Sequence, residues 1–370
     1  MSEQEEITLD EIAIVNPPEN LVKGAKAKKV NMDVLIPFTK RIPSYSFEEY
    51  IGGMKFRNGD ILVARITPCL ENGKTAYVDI LDEGEVGFGS TEFIVLREKK
   101  GKSDKNFLYY FALSPDFRDV AILSMTGSSG RQRVQTDVVR NHPFLFPPLA
   151  EQRAIASVLS SLDDKIDLLH RENKTLEKMA EAIFRQWFIE DADEGWEEVP
   201  LGALFEISSG KGLKKEQFIE NGIYPVLGAN GLIGKTDNFL YDEKLIYTGR
   251  VGTLGNVFII ENEKVWLSDN TLVIRPHKYF YSVYFILKYS RLEEYNVGST
   301  QPLIRQSDIK EIEFALPPEA VMNNFEIKAD VLFSKIKANQ RQIRTLERLR
   351  DTLLPKLMSG EVRIEYKTVK

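Results

Sequence analysis

From Ile155 to Trp187 the apolar side chains return at intervals of four, three, four and three residues without a break. The series is Ile155, Leu159, Leu162, Ile166, Leu169, Asn173, Leu176, Ala180, Ile183 and Trp187, with one polar member. A stripe so narrow predicts a long helix that buries its seam against a second helix. A second stripe of the same period runs through Phe325, Ala329, Leu332, Ile336, Asn339, Ile343, Leu346, Arg350, Leu353 and Leu357. At a constant offset of 170, Phe144, Pro147, Pro148, Ala150, Lys165, Ile166, Arg171, Thr175, Leu176 and Glu177 fall on identical residues from Phe314 to Glu347. The stretch is therefore duplicated, and the nearest partner for each copy is the other.

Antiparallel pairing with position numbers summing to 512 sets seam residue against seam residue: Ile155 with Leu357, Ile166 with Leu346, Leu169 with Ile343, Leu176 with Ile336, Trp187 with Phe325. Asn173 then meets Asn339, and two facing amides can satisfy each other and fix register. A slip of one heptad would keep the seam apolar, so the register rests on that match. Charge agrees with the pairing. Residues 148–196 carry 6 basic and 11 acidic side chains, and residues 317–370 carry 11 and 7. Phe184, Phe188 and Met179 in the first copy, and Phe333 and Leu349 in the second, lie off the seam; they serve either another protein surface or packing against an adjacent globule.

Upstream the pattern changes to short β-type runs. Ile61–Ala64, Thr75–Val78 and Glu92–Leu96 predict strands, separated by the turn signals Asn58-Gly59-Asp60, Glu71-Asn72-Gly73 and Gly84 to Gly89, and a helix is expected from Asn106 to Leu123. The segment 201–316 repeats this plan loosely. Ile61 to Arg65 matches Leu245 to Arg250, Ser90 to Arg97 matches Ser268 to Arg275, and the Gly127-Ser128-Ser129 turn before Gln135-Thr136-Asp137 matches Gly298-Ser299-Thr300 before Gln306-Ser307-Asp308. The fold class is α+β, two pseudo-repeated globular domains joined by two long antiparallel coiled-coil helices. The expected domains are residues 1–147, a helical spacer 148–190, a second globule 191–316 and a second spacer 317–370.

Composition changes the picture little, but excludes several classes. The 370 residues are 43% hydrophobic, enough for two cores. The acidic start MSEQEEITLDE carries no signal-peptide core and no apolar run approaches a membrane span, so a cytoplasmic location with no membrane partner is expected. One cysteine, Cys69, and three scattered histidines, His142, His170 and His277, offer neither a disulfide nor a zinc spacing. Metal binding is not expected.

Enzyme motifs fail one by one. Asn16-Pro17-Pro18-Glu19 resembles the N-P-P-aromatic motif of amino-methyltransferases, but Glu19 stands where an aromatic would stack on a flipped base, and a turn is the simpler reading. Gly73-Lys74-Thr75 ends like a phosphate loop, yet Pro68 occupies the place of its first glycine. Gly249 to Gly255 lacks the strand-to-helix setting of a dinucleotide site, and no serine or cysteine is placed with a usable histidine.

The order globule, helix, globule, helix, with FPPLAEQRAIASVLSSLDDKID after the first globule and LRDTLLPKLMSGEVRI near the end, resembles the specificity (S) subunit of type I restriction-modification systems over nearly the full length. The second helix opens with Leu-Pro-Pro-Glu319-Ala-Val in place of a full copy of Leu-Ala-Glu-Gln. The resemblance implies a non-catalytic, sequence-specific DNA-binding protein with two target-recognition domains, each reading one half of a split asymmetric site in double-stranded DNA. It also implies two methyltransferase subunits, and restriction subunits in the full complex. No cofactor belongs to this chain; S-adenosylmethionine would sit in the methyltransferase, ATP and magnesium in the motor-nuclease.

Physics supports part of this unaided. A coiled coil of about 33 residues is about 50 Å long at ~1.5 Å per residue, on the scale of the roughly 34 Å between successive major-groove faces. Charge argues the other way. The net charge is -6, with 19 basic and 21 acidic residues in 1–147 and 13 and 16 in 197–316, so weak stand-alone binding is expected, with partners supplying much of the phosphate grip. The basic clusters are Lys23 to Lys29, Arg131 with Arg133, and Lys211 to Lys215. For base contacts, arginines and amides on loops are the candidates, against the bland reading of solvated surface charges. In the first globule these are Arg65, Lys74, Ser128, Ser129, Arg131, Gln132 and Arg133; in the second, Lys211, Asn230, Lys235, Arg250, Ser299, Thr300, Gln301 and Arg305. Two other classes compete: a structural coiled-coil adaptor without DNA readout, which fits the acidity but leaves two elaborate globules idle, and a self-contained modification enzyme, which lacks its motifs.

Overall fold

Alternating β-branched and aromatic residues between glycine turns build the first globule. In the computed structural model, which describes residues 4–261 and 263–365, its elements are β1 (Glu5–Thr8), α1 (Leu9–Ile12), β2 (Ala13–Val15), β3 (Lys26–Val30), β4 (Ser46–Glu49), β5 (Met54–Phe56), β6 (Ile61–Ala64), β7 (Thr75–Tyr77), β8 (Gly87–Gly89), β9 (Phe93–Glu98), α2 (Lys105–Leu113), α3 (Pro115–Leu123), α4 (Thr136–Asn141) and β10 (Pro143–Phe146). Then comes α5 (Leu149–Arg185). The second globule contains β11 (Glu197–Pro200), β12 (Phe205–Ser209), β13 (Tyr224–Gly228), β14 (Gly231–Thr236), β15 (Leu245–Gly249), β16 (Val257–Ile260), β17 (Trp266–Leu267), β18 (Thr271–Pro276), α6 (Phe280–Tyr289), α7 (Gln306–Lys310) and β19 (Glu313–Leu316), followed by α8 (Glu319–Met358).

One helix expected over 106–123 is two. Pro115 has no N–H and cannot sit inside a helix, whereas a first-turn position suits it. Ser114 accordingly ends α2 and caps α3, its hydroxyl accepting from the Phe117 N–H.

The duplication is written into the sheets. The first globule has a four-stranded sheet in the order β2-β9-β6-β7; the second has β12-β18-β15-β16. A second sheet, β4-β3-β8-β5, is answered by β14-β13-β17, and in both the hairpin strand meets its neighbour in parallel, β3 with β8 and β13 with β17. Each globule is closed by an antiparallel strap that joins its first strand to its last, Glu5 opposite Phe146 and Glu197 opposite Leu316. Registers match too: Ala64 pairs with Phe93 as Gly249 pairs with Thr271, which makes Arg65 the counterpart of Arg250 and Glu92 the counterpart of Asn270.

The chain divides into two compact units, and the division falls inside both long helices. The first takes in residues up to Leu169 and from Gln340 onward; the second is His170–Asn339. Within the first, Ile155, Ala156 and Leu159 share the globule's core with Leu354, Leu357 and Met358, while Ile166 and Leu169 cluster with Ile343 and Leu346. Rising numbers on α5 meet falling numbers on α8, so the helices run antiparallel there. Between those two layers the Arg350 guanidinium donates to Asp163 at 2.9 Å, and Asp163 also accepts from the Tyr110 hydroxyl at 2.7 Å. All three are nearly buried.

The second unit packs aromatics where the first packs charge. Phe184 and Phe188, off the seam, are buried against Phe285 of α6 and Phe325 of α8, with Phe184 and Phe188 stacked at 4.5 Å. They serve the core of this unit, as does Phe333 on Tyr281. Met179 and Leu349 remain exposed. In the same unit the Asn339 amide donates to the Asn173 carbonyl oxygen at 2.9 Å, both residues being buried.

Candidate nucleic-acid interface

Backbone pairing aligns one strand end with one loop in each globule. In the first, Arg65 follows β6; its N–H donates to the Glu92 carbonyl and its own carbonyl accepts from Val134. Thr67 N–H then reaches Gln132, and Thr126 and Arg133 bond each other in both directions. In the second, Arg250 follows β15; its N–H donates to Asn270, its carbonyl accepts from Ile304, Gly252 N–H reaches Pro302, and Val297 N–H reaches Leu303. The backbone frame matches at these bonds, with the second loop one residue shorter and Leu303 N–H turned to Asn296 Oδ1 where Arg133 N–H returns to Thr126. Glycine opens both loops for local reasons: Gly127 has φ 128°, a conformation side chains rarely adopt, and a Cβ on Gly298 would land on the Gln301 carbonyl oxygen.

The side chains hung on this frame differ. In the first globule Ser128, Ser129 and Arg131 are exposed, and among the described residues Arg131 has no side-chain partner. Arg133 is held: its Nε and Nη2 donate to the Glu92 carboxylate at 2.7–3.0 Å. Those hydrogen bonds hold the Glu92 carboxyl below the ordinary range, against burial that pushes it up. Arg65 keeps its Nε buried and without a hydrogen-bond partner. Lys74 is half-buried, its Nζ tied to the Met32 carbonyl at 2.9 Å, and Gln132 contributes its backbone to the frame.

In the second globule Ser299, Thr300, Gln301 and Arg305 are exposed along the loop. Arg250 Nη1 lies 3.4 Å from the Ser209 hydroxyl, which also accepts from Gln306 Nε2 at 3.0 Å. Lys211, two residues on, is exposed, and its carbonyl accepts from the Trp266 indole at 2.7 Å. Asn230 accepts from Asn256 at 2.9 Å, and Lys235 stands exposed on the edge strand β14. Thus Arg250, Lys211 and the 298–305 loop gather about the end of β12 and β15, while Lys235 belongs to the other sheet.

Several residues of this region are silent in a reading by loops and arginines. Glu92 and Ser209 act across distances in sequence that no local pattern reveals; Asn296 acts locally, its Oδ1 accepting from both Gly298 and Leu303 N–H groups at 2.9 Å. Gln306 and Gln135 had a signal in their recurrence, and Gln135 indeed bonds Thr126 at the base of its loop. The Asn16-Pro17-Pro18-Glu19 stretch is structural: Asn16 Oδ1 accepts from Val95 N–H, and the nearly buried Glu19 carboxylate takes Arg57 and Arg97 at 2.7 Å each. Among the described residues, no group of three or more His, Cys, Asp or Glu could hold a metal ion, and no helix is long and apolar enough to cross a membrane.

The sequence model of the family described as "Type I restriction modification DNA specificity domain" matches residues 1–178 and 193–347. The chain belongs to this specificity family. Among its relatives is the type I restriction enzyme MjaIX specificity subunit of Methanocaldococcus jannaschii, 28% identical over 70% of this chain and 69% of that one. Another, the EcoAI specificity subunit of Escherichia coli, is 38% identical over 34% of this chain and spans only 21% of its own length. The crystal structure of the S subunit from M. genitalium superposes over 99% of this chain and 97% of that one with a TM-score of 0.58 at 20% identity, a likeness of fold. Two matched segments of the specificity family, 1–178 and 193–347, each contain one globule and the start or most of one long helix.

Proposed function

We propose that this member of the specificity family is the non-catalytic DNA-recognition subunit of a type I restriction-modification complex, and that each globule reads one half of a bipartite asymmetric site. In this reading the long helices set the spacer and dock two methyltransferase subunits, restriction subunits join the full complex, and S-adenosylmethionine and ATP with magnesium stay with those partners. One observation carries the reading: the same loop-on-strand frame recurs in both globules, Arg65 with Val134 and Arg250 with Ile304, under side chains that have diverged. A shared frame with different chemistry is what two readers of two sequences require, because base edges in the major groove are told apart by the donors and acceptors presented to them. The net charge of -6 fits a subunit that leaves much of the phosphate grip to its partners.

Methylation mapping tests the reading. DNA from cells carrying this chain with its methyltransferase subunit is compared with DNA from cells lacking only this chain. A split asymmetric methylated motif that vanishes with the deletion is the expected result. Identical methylation in the two strains would overturn it.

A further inference from the structure

Two arginines of the first globule's loop sit two residues apart and do different things. Arg131 projects into solvent without a side-chain partner among the described residues, whereas Arg133 gives three hydrogen bonds to the Glu92 carboxylate. Glu92 is also fixed from behind. Its carbonyl accepts from Arg65 N–H at the end of β6, and its own N–H donates to the Ser90 hydroxyl at 3.1 Å. One residue thereby ties the strand end to the loop. The second globule replaces both members of the clamp, with Asn270 at the position of Glu92 and Leu303 at that of Arg133. There the loop is held without charge, by Asn296 Oδ1 accepting from the Gly298 and Leu303 N–H groups.

We propose that Glu92 is a positioning residue for DNA readout in the first globule: by chelating Arg133 it withdraws that guanidinium from DNA, holds the 126–133 loop, and leaves Arg131 to read bases. The inference rests on the proposed reading of DNA by each globule. The bidentate geometry suits the task, because a planar guanidinium on two carboxylate oxygens fixes direction as well as distance. The carboxyl, held below its ordinary range by the Arg133 hydrogen bonds, carries its charge at neutral pH.

The test uses the assembled complex of this chain with its methyltransferase, measuring binding to DNA carrying the mapped motif and to single-base variants of each half. Glu92→Gln and Arg133→Gln should each reduce discrimination about ten- to a hundredfold in one half-site only, the worth of a good base contact. The double variant should lose no more than either single one, since both break the same clamp. Freed in Glu92→Gln, Arg133 becomes available to phosphate, and the slope of log affinity against log salt should steepen by about one. Discrimination that survives Glu92→Gln but falls in Arg133→Gln would make Arg133 a DNA contact and sink the proposal; so would additive losses, or equal loss in both halves. If the unaltered complex discriminates in neither half, it is the underlying reading of the globules that fails.

Discussion

The Arg131 side chain has no partner among the described residues, and this makes it the sharpest single prediction at the scale of the residue. Arg131→Ala should weaken binding and relax discrimination by about 1–3 kcal/mol in one half-site, read by competition between the mapped motif and its single-base variants. Equal loss in both halves would contradict two independent readers. The clamp beside it also sets a pH dependence. The Glu92 carboxyl is depressed below its ordinary 4.5, so its contribution is complete above that value and is lost only as pH falls through the depressed one. Discrimination in that half-site should therefore be flat from about pH 8 to about pH 5.5; a decline near neutrality would mean that Glu92 is not ionised in the complex. The loop around Arg131 was legible because glycine, serine and arginine in one stretch announce a flexible basic turn. Glu92 was not legible, since it lies 41 residues from Arg133 in sequence and only the fold brings them together.

At the scale of the element, the long helices were legible almost in full. Their period named the seam, and the two asparagines named the register. What the seam could not name were the partners off it. Arg350 sits in the stripe as a charge without an evident mate, and its buried mate is Asp163, one residue beside the seam, with Tyr110 of the globule on the other oxygen; the neighbouring Asp351 takes Nε and Nη2. At the offset of the repeat, the counterparts are Ala180 and Phe333, which belong to the aromatic core of the second unit. Duplicated helices thus carry opposite interiors, and composition could not foretell which. Removing Asp163 takes the acceptor from the buried Tyr110 hydroxyl and from Arg350 Nη1, while Asp351 still holds Arg350 Nε and Nη2: Asp163→Ala should cost about 1–3 kcal/mol, and a denaturation midpoint that hardly moves would show that neither group depends on that carboxylate. Asn339→Ala should cost about 1–3 kcal/mol by orphaning the buried Asn173 amide. The double replacement by leucine should recover much of that stability while permitting a heptad slip. Cysteines at 173 and 339 check the register directly, oxidising in the paired arrangement and staying reduced after a slip.

For the whole molecule, the duplicated order of globule and helix was legible from the offset alone, while the inner plan of the globules was not. Strands such as β3 and β8 pair in parallel across more than fifty residues, and short runs with two possible neighbours do not declare which they choose. The spacer expectation belongs here. Seven residues inserted at matched places in α5 and α8 would lengthen each helix by about 10 Å, or about three base pairs at ~3.4 Å each. Methylation mapping of that variant should return the same two half-sites with a longer gap between them; an unchanged gap would remove the helices as the measure of spacing.

The straps give the molecule one more property. Because the first and last strands of a globule lie side by side, Glu5 beside Phe146 and Glu197 beside Leu316, the chain leaves each globule about 5 Å from where it entered. A globule is thus a loop drawn shut at its neck: residues added or lost in its outer turns leave the two ends of the neck in place, while the face that meets the helices, Tyr110 on Asp163 in one globule and Phe285 on Phe184 in the other, is held in common with them. Variation in one globule is thereby confined to the surface that it does not share with the helices.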